Sequence, residues 1–196
     1  MSLGKFAGLA DGQIWQSFKI ANAHLEKGDP LQARAILGTV ALDAGLETRF
    51  RLQAWHSFRE AGGQPPDSVA NEVLGVVAEV GLDQGNDLLA TYSDQTAYYY
   101  NYAGGAVMWM HPDGSLDGHI DRVLAAARKI VPLIGPWNES RRPPPAKSNA
   151  RINILTPTGL HFGEAPLQVL DGDRSAGPLV KAATALMGQL IAKSRK

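Results

Sequence analysis

The apolar positions recur with two different periods along the chain, and the change of period divides it. From Asp11 to Gly62 the spacing is helical: Ile14, Phe18, Ala21 and Leu25 fall on one stripe of a first helix. That helix stops at Lys27-Gly28, the lysine near its negative end and the glycine just past it. Asp29-Pro30 restarts the chain as an N-cap followed by the proline that suits a first helical position. Leu31, Ala33, Leu37, Val40 and Ala44 stripe a second helix ending at Gly45, and Phe50, Ala54 and Phe58 a third that closes at Gly62-Gly63. Trp15 and Trp55 lie off or beside these stripes, so each is a candidate for a second contact as well as for the core.

After the Gln64–Ser68 linker the period falls to two. Val73–Val80, Asp87–Tyr92, Thr96–Tyr102 and Ala106–Met110 read as strands, and connections this short permit only antiparallel hairpins, hence a meander. Turn residues at 113–117 lead into a helix carrying Ile120, Val123, Leu124, Ala127, Ile130 and Val131, stopped before Pro136. Asn138–Ala150, with three consecutive prolines behind Arg141-Arg142, reads as an extended strap. Arg151–Leu155 alternates as a further strand, Thr156–Gly159 turns, and Leu160–Phe162 is a short extended piece. Pro178–Ala192 makes a last helix. The order predicts an α+β fold: a helical region over residues 1–66, then an α+β region over 67–196, packed as one unit.

Gly28 and Gly62 are 34 residues apart, and Gly28-Asp29 followed by Ala33 resembles the inter-helix turn of a tetratricopeptide repeat over residues 11–62. The sequence departs from that pattern at Gly62, which lacks a following aspartate, and at His24, where the repeat has a large aromatic. The resemblance implies one and a half repeats of antiparallel helices, a unit that holds peptides or partner proteins. Fewer than three repeats cannot bury their faces alone, so this hairpin must pack on something else.

Composition narrows the chemistry. The 196 residues include no cysteine, which removes disulfides, thiolate metal sites and a cysteine nucleophile. No leader pattern or apolar run of spanning length is evident, so the chain reads as a soluble cytosolic protein with no membrane association. Net charge is zero, yet residues 71–137 carry −5 and residues 138–196 carry +5. Either the two segments neutralise each other within the fold, or Arg141, Arg142, Lys147 and Arg151 form a basic strip for an acidic partner, with the tail lysines and arginine (Lys193, Arg195, Lys196) part of it or simply solvated.

All five tyrosines lie between Tyr92 and Tyr102. Strand alternation sets Tyr98, Tyr100 and Tyr102 on one face and Tyr99 on the other; the next strand puts Met108 and Met110 on one face, Val107 and Trp109 on the other. Tyrosine joins an apolar body to a wet end, so Tyr98, Tyr100, Tyr102 and Trp109 are candidate binding residues, together with Trp15, Arg141 and Arg142. Nucleic-acid stacking needs cations between the aromatics, and this segment is acidic, so no nucleic-acid partner is expected.

No phosphate loop, dinucleotide fingerprint, nucleophile elbow or zinc-protease motif is present, so no cofactor is expected. His111 and His119 with Asp113, Asp117 and Asp121 have the spacing of a solvated turn and helix start rather than a metal site. His161 and Glu164, beside glycines, are the candidates for a small pocket with proton-transfer chemistry. The leading expectation is a non-enzymatic protein–protein interaction module. The alternatives are a small-molecule-binding protein or enzyme around His161 and Glu164, and a structural subunit of a homo-oligomer.

Overall fold

A computed structural model describes residues 12–194. The N-terminal stretch read for a leader and the tail residues Arg195 and Lys196 lie outside them. The described residues form two compact units, 12–70 with 157–159, and 71–156 with 160–194. Among the described residues no helix is long and apolar enough to cross a membrane.

The first unit contains three helices, α1 (Gln13–Glu26), α2 (Pro30–Leu42) and α3 (Thr48–Glu60), each packed on the next in chain order. The Asp29 side chain accepts from the Gln32 backbone N–H at 3.2 Å, the N-cap that the Asp-Pro pair predicts. Gly28 and Gly62, at the ends of α1 and α3, take φ of 74° and 79°, which only glycine enters without cost. Phe18, Ala21, Ala33, Leu37, Ala41, Ala54 and Trp55 form the buried centre. Trp15 packs edge-on against Phe50 at 5.3 Å and Trp55 against Phe58 at 5.5 Å. Trp55, at 1% exposure, therefore offers no free ring for a second contact. The second helix ends at Leu42, before Gly45, because Asp43 turns extended and its side chain accepts from the Gly45 N–H.

The second unit is a sheet of β1 (Gly75–Gly81), β2 (Asn86–Tyr92), β3 (Ala97–Tyr100), β4 (Ala106–Trp109), β5 (Asn149–Thr156) and β6 (Gly159–Pro166), in the order β4-β3-β2-β1-β5-β6. The first four form the expected meander. β5 returns to the far side of β1, antiparallel, with Glu79 opposite Arg151 and Val77 opposite Asn153. β6 is longer than Leu160–Phe162 because it pairs with β5 across the two-residue Pro157-Thr158 turn.

One sheet face is covered by α4 (Asp117–Ile130) and the final helix. Between β6 and that helix lies a short α5 (Leu167–Gly172), which has no buried residue and so no apolar stripe to announce it. The final helix, α6 (Gly177–Lys193), buries Leu179, Ala183, Leu186 and Leu190, while α4 buries Ile120, Val123, Leu124 and Ala127. These meet Val76, Leu89, Tyr99, Trp109, Ile152 and Ile154 in one core. The fold is α+β.

Candidate functional site

The basic strap comes first because its position resolves the charge asymmetry. Residues 138–148 cross the outer face of β1 and β5, where Pro145 is buried and a Cβ on Gly81 would fall 2.5 Å from the Pro145 carbonyl oxygen. Asn86 Nδ2 donates to that same oxygen at 3.1 Å. Arg151 is buried, at 2% exposure, and holds the strap from below. Its guanidinium donates to Glu164 Oε2 at 2.8 and 2.6 Å, to the Arg142 carbonyl at 3.3 Å and to the Pro143 carbonyl. Next to it, buried Glu79 accepts from Arg141 at 3.0 Å and from Asn153 Nδ2 at 2.8 Å.

The strap cations each meet a partner within the fold, as the first of the two readings of the charge asymmetry expects. Arg141 bridges to Glu79, Lys147 to Asp83, and Arg151 to Glu164, while Arg142 lies over the Trp137 and Phe162 rings at 5.2 and 5.9 Å. The −5 and +5 segments meet here because the strap returns across the strand that carries Glu79. A cation held by a buried carboxylate has less charge to offer a partner than an unpaired one.

His161 and Glu164 share no site. Both lie on β6, three residues apart, and strand alternation sends them to opposite faces. His161 is 1% exposed, with Nδ1 at 3.1 Å from the Ile134 carbonyl oxygen. That oxygen only accepts, so Nδ1 carries the hydrogen. Burial lowers the His161 pKa from its ordinary value, partly offset by this bond. Glu164 is engaged with Arg151 on the outer side.

The tyrosine cluster divides as alternation predicts, with two corrections. Tyr98 and Tyr100 share the outer face with Met108 and Met110, whereas Tyr99 faces the core. Trp109 is 6% exposed beneath α6, with the Lys193 ammonium 5.1 Å from its ring centre, so it is not part of an outer platform. β3 ends at Tyr100, and Tyr102 sits in the turn beyond, its N–H donating to Asp87 Oδ1 at 3.0 Å. Tyr98 is buried, its hydroxyl 3.0 Å from the Met110 sulfur. Tyr100, Tyr102, Met108 and Met110 remain as an exposed apolar patch by the edge strand β4, each between 43% and 65% exposed.

Among the described residues no group of three or more His, Asp or Glu side chains is placed to hold a metal ion. His111 pairs with Asp117 at 3.1 Å, and the Asp113 pKa is lowered by a hydrogen bond from the Ser115 side chain and by the Ser115 N–H, which donates to it at 2.8 Å.

A second basic feature was not read from the sequence. α4 and α6 lie side by side, and a groove of about 770 Å³ runs between them. From α4 it takes Arg122, Ala125, Ala126 and Lys129, and from α6 Pro178, Lys181, Ala182 and Ala185. Both sets follow the i, i+3, i+4, i+7 spacing of a single helix stripe. Arg174 and His119 complete the rim, and no acidic side chain lines it. Arg122, Lys129, Arg174 and Lys181 are exposed, and none of them has an ion pair or hydrogen bond with a described residue. The signal was present: a stripe of alanines and cations beside each core stripe, and a last helix with no acid in it.

No family model, curated protein or solved structure matches this chain.

Proposed function

We propose that the protein is a non-enzymatic interaction module that docks an acidic segment of a partner protein in the α4–α6 groove. The observation that carries this reading is the convergence of Arg122, Lys129, Arg174 and Lys181, all without acidic partners, around an alanine floor. Unpaired cations along a concave wall raise the local concentration of anions, and small apolar residues between them admit the apolar side of an amphipathic chain. No Phe, Tyr or Trp ring lines the groove, so bases of a single-stranded nucleic acid find little to stack on.

The test is fluorescence anisotropy with a labelled amphipathic Glu/Leu peptide, and a labelled oligo-dT as the competing class. Peptide binding should weaken about tenfold or more between about 0.05 and 0.5 M salt. Lys129→Glu/Lys181→Glu should remove it, and Arg141→Glu/Arg142→Glu should leave it in place. Tighter binding of the oligonucleotide, or loss only in the strap variant, overturns the reading.

A second reading, a homo-oligomer joined through the β4 edge, is favoured by the exposed Tyr100, Tyr102, Met108 and Met110 beside the sheet's terminal strand. Sedimentation of Met108→Lys against the unaltered protein tests it. A strict monomer in both disposes of it.

A further inference from the structure

The inner sheet face and α6 do not close completely on each other. Where β1, β2 and β5 approach the helix, a cavity of about 240 Å³ remains. Three alanines open it: Ala78 on β1, Ala150 on β5 and Ala183 on α6. Their neighbours Val80, Leu89, Ile152 and Leu179 are larger and form apolar walls. The space opens to solvent on one side, so it is an apolar-lined pocket that a small ligand can enter rather than a sealed packing defect.

The cavity is not apolar throughout. At one side stand Asp87 and Tyr99. The Tyr99 hydroxyl donates to Asp87 Oδ2 at 2.7 Å, and the Tyr102 N–H donates to Oδ1 at 3.0 Å. A carboxylate has about four lone-pair sites, so two bonds leave acceptor capacity for another donor. Burial and the Asp87 contact push the Tyr99 pKa up to about 12, which keeps the phenol protonated and donating to Asp87. The exposed Leu167 and Thr184 lie on the solvent side of the lining and mark the mouth.

We infer that this cavity binds a small ligand with an apolar body and a hydrogen-bond-donating, preferably cationic, head: an alkyl or aryl amine of about ten heavy atoms. Size sets the body, since an apolar cavity of about 150 Å³ takes a benzene ring and this one is more than half as large again. Charge sets the head. A carboxylate-headed ligand would put like charge against Asp87, whereas an ammonium or hydroxyl completes its hydrogen bonding. The cavity lies against the sheet face of α6 and shares no lining residue with the α4–α6 groove, so it is independent of the proposed docking function.

The experiment is uptake of the small fluorophore 1-naphthylamine, neutral at pH 7 and of about eleven heavy atoms, by the full chain, followed by displacement with octylamine, octan-1-ol and octanoate. Wild type should bind the fluorophore, and octylamine should displace it at a concentration about tenfold below that of octanoate, the scale of one charge-assisted hydrogen bond. Asp87→Asn should erase the advantage of octylamine over octan-1-ol. Ala183→Leu fills the cavity and should abolish uptake. Thr184→Trp, at an exposed position, closes the mouth without touching the core and should do the same if Ala183→Leu does not fold. Arg128→Glu, exposed on α4 and lining neither the cavity nor the groove, should bind as wild type does. Absence of uptake by wild type, or equal uptake by the closed variants, overturns the site. Equal displacement by all three octyl compounds overturns the head group assigned to it.

Discussion

Arg151→Met tests whether the buried guanidinium is what holds the strap down. The substitution keeps much of the apolar stem and removes four N–H donations, two to Glu164 and one each to the Arg142 and Pro143 carbonyls. Its side chain is 3% exposed and that of Glu164 19%, so water cannot fully replace what is lost. Breaking one partner out of a buried pair costs about 3–5 kcal/mol, because the other charge is left uncompensated. For a unit of about 120 residues that is a fall in Tm of about 10–20 °C. Lys147→Met is the comparison: its side chain is 66% exposed and that of its partner Asp83 71%, so it should cost under about 1 kcal/mol. The double variant Arg151→Met/Glu164→Leu should recover part of the loss, since it removes both charges together. Calorimetry gives the Tm values, and limited proteolysis within 138–148 reports strap release. The reasoning is refuted if Arg151→Met melts within a few degrees of wild type, or if the strap is cut no faster than before.

Gly81→Val should free the strap by another route, pushing a side chain against the Pro145 and Ala146 carbonyls; about 1–3 kcal/mol is expected, read from urea midpoints. His161 has a folded pKa below its unfolded value near 6.5, so the unfolded chain binds the extra proton first. Stability should therefore be flat above about pH 6.5 and fall as the pH drops below it, and His161→Gln should flatten that slope in urea titrations at several pH values. Tyr99 should titrate late, near 12, in an ultraviolet titration, because it sits buried against Asp87. Asp87→Asn should bring it down. Tyr99→Phe should remove one late-titrating phenol.

The elements and their order could be read from periodicity because they depend on neighbours a few residues apart. The meander is the clearest case: connections as short as Ser93–Gln95 leave the chain no other pairing, so β1 to β4 and the faces of Tyr99 and Tyr100 follow from alternation alone. The Asp29-Pro30 cap and the stop at Gly28 are equally local. His161 and Glu164 were within reach of the same rule. Reading the strand only to Phe162 hid it; continued to Pro166, alternation places the two on opposite faces.

Tertiary structure decided everything that depends on which distant segments meet. Periodicity does not say that β5 pairs with β1 on the side away from β2, yet that choice sets Arg151 opposite Glu79 and brings the strap across both. A cation count by segment therefore left open a basic strip where the fold contains partnered side chains. Exposed cations without a partner line the groove between α4 and α6, the first helix from the acidic segment and the second from the basic. Net charge adds along the chain, but an electrostatic surface adds in space, over a few ångströms of low-dielectric protein or one screening length of water. The cavity beneath α6 arises likewise. Ala78, Ala150 and Ala183 are unremarkable in three separate patterns, and only their packing against one another leaves room for a ligand.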